Sequence, residues 1–468
     1  MKKHFFYIIM MFLSLSVYGQ DDPPVLTFEQ YIQMVKEHHP LARQAQISVE
    51  SGEAYLKKSR GAFDPQFFGN ATQKYFSGSQ YYSILGGGLK VPTWYGVSFQ
   101  AGYDQTNGTY LNPERNLPDD GLWYTGINVS LGKGLIIDQR RAEYQKAKIF
   151  LESSIQQQFM MLNDLYLQAS ITYWDWFKSY NKVLVYEEAV ENANFRFESV
   201  KTSAELGDKP YIDTLEAFIQ LQNRWFKLLD AELEFMNNTS LLEIYLWEDG
   251  FIPVELDSSI IAPTTKDIFY NDIDPELALQ IDTLKMLHPE VLNTQYKIDQ
   301  KEVDINLARN NLLPQLDLKY NAITFGSNGD IINNFNVNNY TWGAEFKLPL
   351  FLRKERGDLK VNKLKLESLQ NDLAFKKEQV EYKIEMALNT WTTTYQQIEI
   401  WQQATQNYLR LLESERTLFQ IGESSLFMIN SREKAYINAQ IELIDRFASN
   451  KKAEVKAKYA MGIIYSTL

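Results

Sequence analysis

The 468-residue sequence contains no cysteine. It therefore has no disulfide framework, no thiolate metal ligand and no cysteine for lipid attachment. Histidine is also scarce, at four residues, and the adjacent pair His38 and His39 would point to different faces of a helix with no third histidine nearby. We predict no catalytic site, no metal site and no cofactor.

Excess positive charge and long apolar runs are missing as well. The formal net charge of −12 argues against a nucleic-acid partner, which needs a basic surface. Beyond the N-terminus, no apolar run approaches the roughly 18–20 residues of a membrane-spanning helix. If the chain crosses a membrane, it must do so as a closed β-barrel, because lipid cannot satisfy the backbone groups of an open sheet edge.

The N-terminus does have a short apolar run, from Phe5 to Val17, behind two lysines. The run is too short to span a membrane comfortably, and Val17 and Gly19 are small residues where a signal peptidase needs them. We predict that residues 1–19 are a signal peptide, cleaved before Gln20, and that the mature protein is exported.

One long tract occurs twice. It begins at His39 with HPLARQ and again at His288 with HPEVLN. Identical residues recur 249 positions apart, namely Pro40, Arg60, Pro65 and Gln66 with Pro289, Arg309, Pro314 and Gln315. Self-similarity at so long a period indicates a duplicated structural unit. We predict two repeats, residues 20–248 and 276–468, joined by a proline- and acid-rich connector at residues 249–275.

Each repeat has the same predicted order: helix, strands, a very long helix, a turn and a shorter helix. The predicted helices are about 26–36 with Thr27 as N-cap, 40–60, 138–206, 211–247, 358–421 and 426–461. Residues 138–206 contain no proline or glycine, and a helix of that length is roughly 100 Å long. In the helix at 358–421, apolar residues step by three, four or seven, which is typical of a coiled-coil seam. They are Leu366, Leu369, Leu373, Val380, Ile384, Leu388, Trp391, Tyr395 and Ile398.

The predicted strands alternate between apolar and polar residues. From Trp123 to Leu131, odd positions are mostly apolar, while Gly126, Asn128 and Ser130 share the other face. Residues 340–348 alternate in the same way. This pattern is typical of a membrane barrel strand, and equally of a half-buried strand in a soluble sandwich.

The first repeat is longer in its β region. Gly126 lies 61 residues after Pro65, whereas Gly343 lies only 29 residues after Pro314. The extra residues include ILGGGLKVPTWYGVSFQAGY, which is typical of a hairpin turning near Pro92–Gly96.

The chain resembles the TolC-like outer membrane efflux protein family across essentially the whole mature sequence. The resemblance rests on LTFEQYIQMVKEHHP, on the Pro-Gln steps at Pro65 and Pro314, where helix should turn to strand, and on WGAEFKLPLF from Trp342. Two turns between helices add to it, ELGDKPYIDTLEA and QIGESSLFMINSREKA. The resemblance implies a mainly α fold with a membrane β-barrel part. It further implies duplicated halves in a homotrimer, with one shared barrel and an α-helical coiled-coil tunnel across the periplasm.

Such channels lie in the bacterial outer membrane, in contact with its lipid. They work passively with a periplasmic adaptor and an inner-membrane pump or exporter that moves drugs, toxic compounds, metals or proteins, so the resemblance implies no enzyme. With four strands from each of three chains, the shared barrel would have about twelve strands. If the inserted hairpin of each chain joins the barrel, the number would be about eighteen. We expect the hairpin to be an added flap outside the barrel.

The resemblance places the two turns at the periplasmic entrance, where family members carry acidic residues about six and nine positions after the turn glycine. Asp213 and Glu216 occupy these positions after Gly207, whereas Met428 and Ser431 occupy them after Gly422. We hypothesise that a threefold set of Asp213 and Glu216 narrows the entrance electrostatically. The alternative is that both are solvated acids at a helix start.

The remaining candidates at the turns have structural or docking roles. Gly207 and Gly422 are expected to end the long helices with positive φ. The candidate turn and adaptor-contact residues are Gly207, Asp208, Lys209, Gly422, Glu423 and Arg432.

Two other classes of protein compete with a channel. A soluble periplasmic coiled-coil scaffold would explain the helices and would need only small β elements. A hydrolase hidden in the β region has no supporting residues in the sequence.

Overall fold

The computed structural model describes residues 24–268, 280–325 and 334–467. The predicted signal peptide lies outside the described residues, as do residues 269–279 around the end of the predicted connector. Within the described ranges, no helix combines the length and the apolar content of a membrane span.

Helices dominate the chain. They are α1 (Phe28–His38), α2 (Pro40–Arg60), α3 (Gln139–Glu205), α4 (Tyr211–Glu243), α5 (Ile281–Leu287), α6 (Pro289–Asn310), α7 (Arg353–Gln420), α8 (Leu426–Ala460) and α9 (Ile464–Thr467). The strands are β1 (Gln66–Phe76), β2 (Ser79–Pro92), β3 (Val97–Asn107), β4 (Leu122–Gly132), β5 (Trp247–Glu248), β6 (Ile252–Pro253), β7 (Gln315–Thr324) and β8 (Tyr340–Lys347). Helix α4 ends before the predicted Trp247, because Leu246 turns into the core and Trp247 starts the small β5–β6 hairpin.

The two His-Pro pairs form equivalent joints. His39 caps α2, where its Nδ1 accepts a hydrogen bond from Leu41 N at 3.1 Å. His288 caps α6 in the same way, accepting from Glu290 N at 3.2 Å. Each buried ring also hydrogen-bonds a backbone group at the end of another helix, at Ile244 after α4 and at Ala460 in α8. Since Nδ1 is the acceptor, the proton on Nε2 makes this second bond.

Six strands form one antiparallel sheet in the order β1-β2-β3-β4-β7-β8. The expectation that the inserted hairpin is a flap is wrong, because its strands β2 and β3 lie in the sheet between β1 and β4. Strand β2 pairs along all of β1, and β3 pairs with β4 from Val97 opposite Val129 to Asp104 opposite Leu122. The predicted turn after Pro92 is confirmed.

The two faces of this sheet differ in chemistry. One row of apolar residues crosses five strands, and it consists of Val91, Phe99, Ile127, Tyr320 and Trp342. The aromatic residues on this face are largely exposed in the single chain, with Trp342 at 71%. The other face is polar: Gln100 Nε2 donates to Asn321 Oδ1 at 2.7 Å, and Ser130 Oγ donates to Asp317 Oδ1 at 2.6 Å. The inserted strands continue both faces, which explains why they join the sheet.

The helices turn into strands where predicted. Strand β1 follows Pro65 directly, and β7 follows Pro314. Proline cannot continue a helix, since it lacks the backbone N–H and disfavours the helical conformation of the residue before it. The carbonyl of Pro314 accepts a hydrogen bond from Lys133 N at 2.9 Å, so the end of β4 is joined to the start of β7.

The long helices form two antiparallel hairpins. Helix α3 has 67 residues and α7 has 68, so each is about 100 Å long. Helix α4 folds back along α3, and α8 folds back along α7. The predicted seam of α7 is confirmed in its middle, where Val380, Ile384 and Trp391 are buried against α8 residues such as Ala457.

The largest core lies where α1, α3 and the connector meet. Tyr31 of α1 is fully buried, as are Tyr173 and Phe177 of α3. Leu246 and Ala262, which flank the start of the connector, belong to the same cluster. The connector is therefore packed onto the middle of the long helix.

Candidate functional site at the helix tips

The two turns that end α3 and α7 have the same structure. Gly207 and Gly422 have φ of 84° and 83°, which confirms the prediction of positive φ at both glycines. Asp208 N bonds Ser203 O, and Glu423 N bonds Leu418 O, each at 2.9 Å. These bonds satisfy carbonyls at the helix ends, as in a Schellman motif. A residue with a side chain would be strained at either glycine.

The two tips pack against each other within one chain. Val200 of α3, Ala217 of α4 and Leu426 of α8 form a small buried cluster, with Phe419 of α7 against it. The ammonium of Lys209 lies 4.2 Å from the centre of the Phe419 ring, a cation–π contact between the two hairpins. Lys209 thus has an internal partner.

The two predicted entrance carboxylates have different surroundings. Glu216 Oε1 accepts a hydrogen bond from Asn430 Nδ2 at 3.1 Å, so this carboxylate already joins α4 to α8. Asp213 is half-buried in the first turn of α4, a favourable place for a negative charge at a helix start. In the second tip, Met428 is half-buried and Ser431 is exposed.

A buried ionic cluster lies above the tips, and sequence reasoning missed it. Glu433 of α8 has a side chain only 6% exposed. Arg196 of α3 holds it in a bidentate pair, with N–O distances of 2.6 and 3.0 Å. Arg224 of α4 and Arg416 of α7 approach it at 3.8 and 3.9 Å. We call these four residues the Glu433 cluster, and they join all four long helices.

The Glu433 cluster extends towards the tips. Asn430 Oδ1 accepts a hydrogen bond from Arg196 at 2.9 Å, while its amide nitrogen donates to Glu216. The sequence did contain one signal for this arrangement: Arg196 lies eleven residues before Gly207, and Glu433 lies eleven residues after Gly422. Equal distance from two adjacent turns places the two side chains at one level.

The second turn has its own internal contacts. Arg432 Nε lies 3.4 Å from Glu415 Oε2, and Ser424 Oγ donates to the other oxygen of Glu415. Arg432 therefore has an internal partner, like Lys209. The residues left exposed at the extreme ends of the turns are Gly207, Asp208, Gly422 and Glu423.

Large apolar side chains surround these exposed turns. Leu206 and Tyr211 of the first tip are each 74% exposed in the single chain, and Phe427 of the second tip is 67% exposed. The tips thus combine a few polar groups with apolar side chains that another surface could cover. No three His, Cys, Asp or Glu side chains in the described ranges are placed to hold a metal ion.

Several solved structures share the fold of this chain. The CmeC outer membrane channel of Campylobacter jejuni is 18% identical, with a TM-score of 0.64 over 93% of this chain and 85% of that chain. The MtrE outer membrane channel of Neisseria gonorrhoeae, in its open state, is 12% identical, with a TM-score of 0.69 over 93% and 89%. The outer membrane protein VceC of Vibrio cholerae is 14% identical, with a TM-score of 0.63 over 93% and 95%. The chain shares its mainly α fold with these outer membrane proteins, as predicted.

The family comparison agrees with the fold. Residues 281–462 match the model of the outer membrane efflux protein family. A search of curated proteins finds no match. The family match and the shared fold together confirm the resemblance to the TolC-like outer membrane efflux proteins. The family model describes an outer membrane efflux protein and CmeC is described as an outer membrane channel, which is in line with the prediction that the protein is not an enzyme.

Proposed function

We propose that this protein is the outer-membrane exit duct of a tripartite efflux system, through which drugs or other toxic compounds pass passively to the exterior. The observation that carries the proposal is the two-faced sheet joined to helices about 100 Å long. An apolar face suits lipid, and a polar face suits a water-filled lumen. In this proposal residues 1–19 direct export, residues 20–248 and 276–468 are the two repeats, and residues 249–275 connect them.

Cell fractionation tests the duct. We expect the protein in the outer membrane, and we expect a trimer that resists detergent until it is heated. Recovery in the soluble periplasm without such an oligomer would favour the coiled-coil scaffold instead.

Pull-down of the crosslinked assembly then identifies the inner-membrane partner. An exporter of proteins in place of a drug pump would indicate type I secretion.

A stripe on α4 supports assembly with further copies of the chain. Ala217, Arg224 and Ala231 are seven residues apart and form the buried face of α4. The opposite face carries exposed apolar residues at heptad spacing, namely Ile212, Leu215, Ile219, Phe226, Leu229, Leu233 and Met236. Exposed stripes of this kind are covered in assemblies, and in a homotrimer a second copy covers this one.

The stripe gives a prediction for assembly. Replacing Phe226 and Leu229 together by aspartate is expected to reduce the trimer by at least roughly tenfold, because burying two charges in an apolar seam costs several kcal/mol. The measurement is the trimer fraction in detergent extracts of outer membranes. Lys227→Asp is the matched control, since it introduces the same residue on the flank of the same helix and should leave the trimer unchanged. Equal trimer in both variants would contradict the assignment of the stripe.

The tips are proposed to meet the periplasmic adaptor. The exposed turn residues Gly207, Asp208, Gly422 and Glu423 form the ends of the two hairpins, and exposed Leu206 and Phe427 flank them. Lys209 and Arg432 stabilise this surface through internal contacts: Lys209 contacts the ring of Phe419, and Arg432 pairs with Glu415. The pump or exporter is reached through the adaptor.

The entrance carboxylates give a prediction for cation block. In a channel of Asp213→Asn with Glu216→Gln, the concentration of a divalent cation that halves the single-channel current is expected to rise about fivefold. Charge interactions at a solvated surface are worth on the order of 1 kcal/mol, which corresponds to that factor. Asp213→Asn alone should carry most of the effect, because Glu216 already bonds Asn430. If the double variant shows unchanged block, both residues are ordinary solvated acids at a helix start. Glu423→Gln is the control, because it removes a negative charge from the tip at a position outside the predicted pair.

A further inference from the structure

The inserted hairpin determines how a membrane barrel can close. The six-stranded sheet has two open edges, β1 and β8, and neither has a partner strand in the described part of the chain. Lipid cannot satisfy the backbone groups of an open edge, and six strands are too few to enclose a lumen. The edges must therefore pair with other copies.

The direction of the strands allows this pairing. Strand β1 leaves the helical part after Pro65, and β8 returns to it ahead of α7, so the two edge strands run in opposite directions. The insertion adds an even number of strands, which preserves this relation. The β1 edge of one copy can then pair antiparallel with the β8 edge of the next copy, the pairing found throughout the sheet.

The insertion is also packed as part of the wall. Trp94, in the turn between β2 and β3, stacks on Phe63 with ring centres 3.6 Å apart and meets the Tyr144 ring of α3 at 4.7 Å. Gly96 in the same turn has φ of 75°, and a Cβ there would lie 3.1 Å from the carbonyl oxygen of Gly134. The hairpin is thus held by strands on both sides and by the helical junction below.

We propose that three copies close one barrel of eighteen strands, in which β2 and β3 of each copy form part of the lipid-facing wall. The proposal rests on the proposed outer-membrane duct. With strands about 4.8 Å apart and tilted by about 40°, the backbone diameter is about 35 Å, against about 24 Å for twelve strands. The membrane section would have roughly twice the cross-section of a twelve-stranded barrel and would not be the narrowest part of the duct.

Engineered cysteine pairs test the wall directly, because the native chain has no cysteine. One pair joins β1 to β2, at Ala71→Cys and Leu85→Cys, which lie opposite each other. A second pair joins β3 to β4, at Ala101→Cys and Thr125→Cys. A third pair, Ala71→Cys with Thr125→Cys, can join only if β1 and β4 are neighbours and the hairpin is a flap. Outer membranes are oxidised, and free thiols are then labelled with a polyethylene glycol maleimide that changes the gel mobility.

The expected result is protection of the first two pairs from labelling and full labelling of the third. Protection of the third pair with labelling of the first two would overturn the proposal. Closure is tested by combining Ala71→Cys with a cysteine at Tyr340, Trp342 or Ala344 of β8, which lie on the same face of the sheet as Ala71. At least one combination should give a covalent trimer. Absence of any intermolecular product would overturn closure through these edges. The duct needs a trimer whether its barrel has about twelve or about eighteen strands. If the unmodified protein forms a detergent-resistant trimer but the cysteine results contradict the expected pairing, the eighteen-stranded barrel is wrong and the duct is not.

Discussion

Glu433→Ala is expected to lower the free energy of unfolding of the helical part by about 3–5 kcal/mol, the usual cost of removing one partner from a buried ion pair. The carboxylate is 6% exposed and neutralises Arg196 and Arg224, whose side chains are 16% and 9% exposed. Without it, two guanidinium groups remain buried next to each other. Burial already lowers the pKa of Arg224, and Glu433 opposes that effect. The measurement is urea unfolding of the detergent-purified protein, followed by circular dichroism at a helical wavelength.

Two comparisons separate this effect from a general loss of a side chain. Glu442→Ala removes a glutamate from the same helix, where its pair with Arg446 is largely solvated, so we expect a loss of about 0.5 kcal/mol or less. The double variant Glu433→Leu with Arg196→Leu should be less destabilised than Glu433→Ala, because one buried charge is removed together with its partner. If Glu433→Ala and Glu442→Ala cost the same, the cluster does not stabilise the four helices as its burial implies.

Local chemistry explains which parts of the fold could be predicted from sequence. Proline and glycine act on their own backbone, so Pro40, Pro65 and Gly207 marked the ends of elements without knowledge of the rest. The seam of α7 was likewise visible, because helical spacing alone places Ile384 and Trp391 on one face.

Long-range pairing explains what could not be predicted. The sequence of the insertion predicted a hairpin turning near Pro92–Gly96, but not which strands the hairpin joins, since any two edges offer the same backbone groups. The Glu433 cluster needs all four long helices at one level, and neither Arg196 nor Glu433 is unusual within its own helix. The one indication in the sequence was that Arg196 and Glu433 lie equally far from Gly207 and Gly422. Equal distances place the two side chains at one level only if the two hairpins lie side by side, which the sequence does not show.

The His-Pro joints give a second large prediction, a loss of stability in mild acid. Burial lowers the pKa of His288 from 6.5 to about 4; Lys376 and Lys383 act in the same direction, and Glu290 acts against it. Burial also lowers the pKa of His39. Protonation would place a hydrogen on Nδ1, which now accepts the N–H of Glu290 or Leu41 and caps α6 or α2.

The sign follows from proton binding. Between pH 6.5 and about 4 the unfolded chain binds a proton at His288 that the folded chain does not, so stability falls as the pH falls through this window. His288 alone should cost about 2 kcal/mol between pH 7.5 and 5, and His39 should add to that loss. The measurement is the urea midpoint at the two pH values.

Asparagine substitution isolates the joints, because asparagine is a favoured N-cap that does not titrate. The double variant His39→Asn with His288→Asn should be less stable at pH 7.5, since it loses the bonds to Ile244 and Ala460. Its urea midpoint should nevertheless change by less than half as much as that of the native protein between pH 7.5 and 5. His38→Asn, at the surface beside Asp249, is the control and should keep the native pH dependence. A full pH dependence in the double variant would contradict the assignment of the acid sensitivity to the joints. Carboxylates such as Glu290 and Glu454, whose pKa values neighbouring lysines lower against the opposite effect of burial, also lose stability in acid. Their loss of stability begins at lower pH than that of the histidines, so the window between pH 7.5 and 5 separates the two causes.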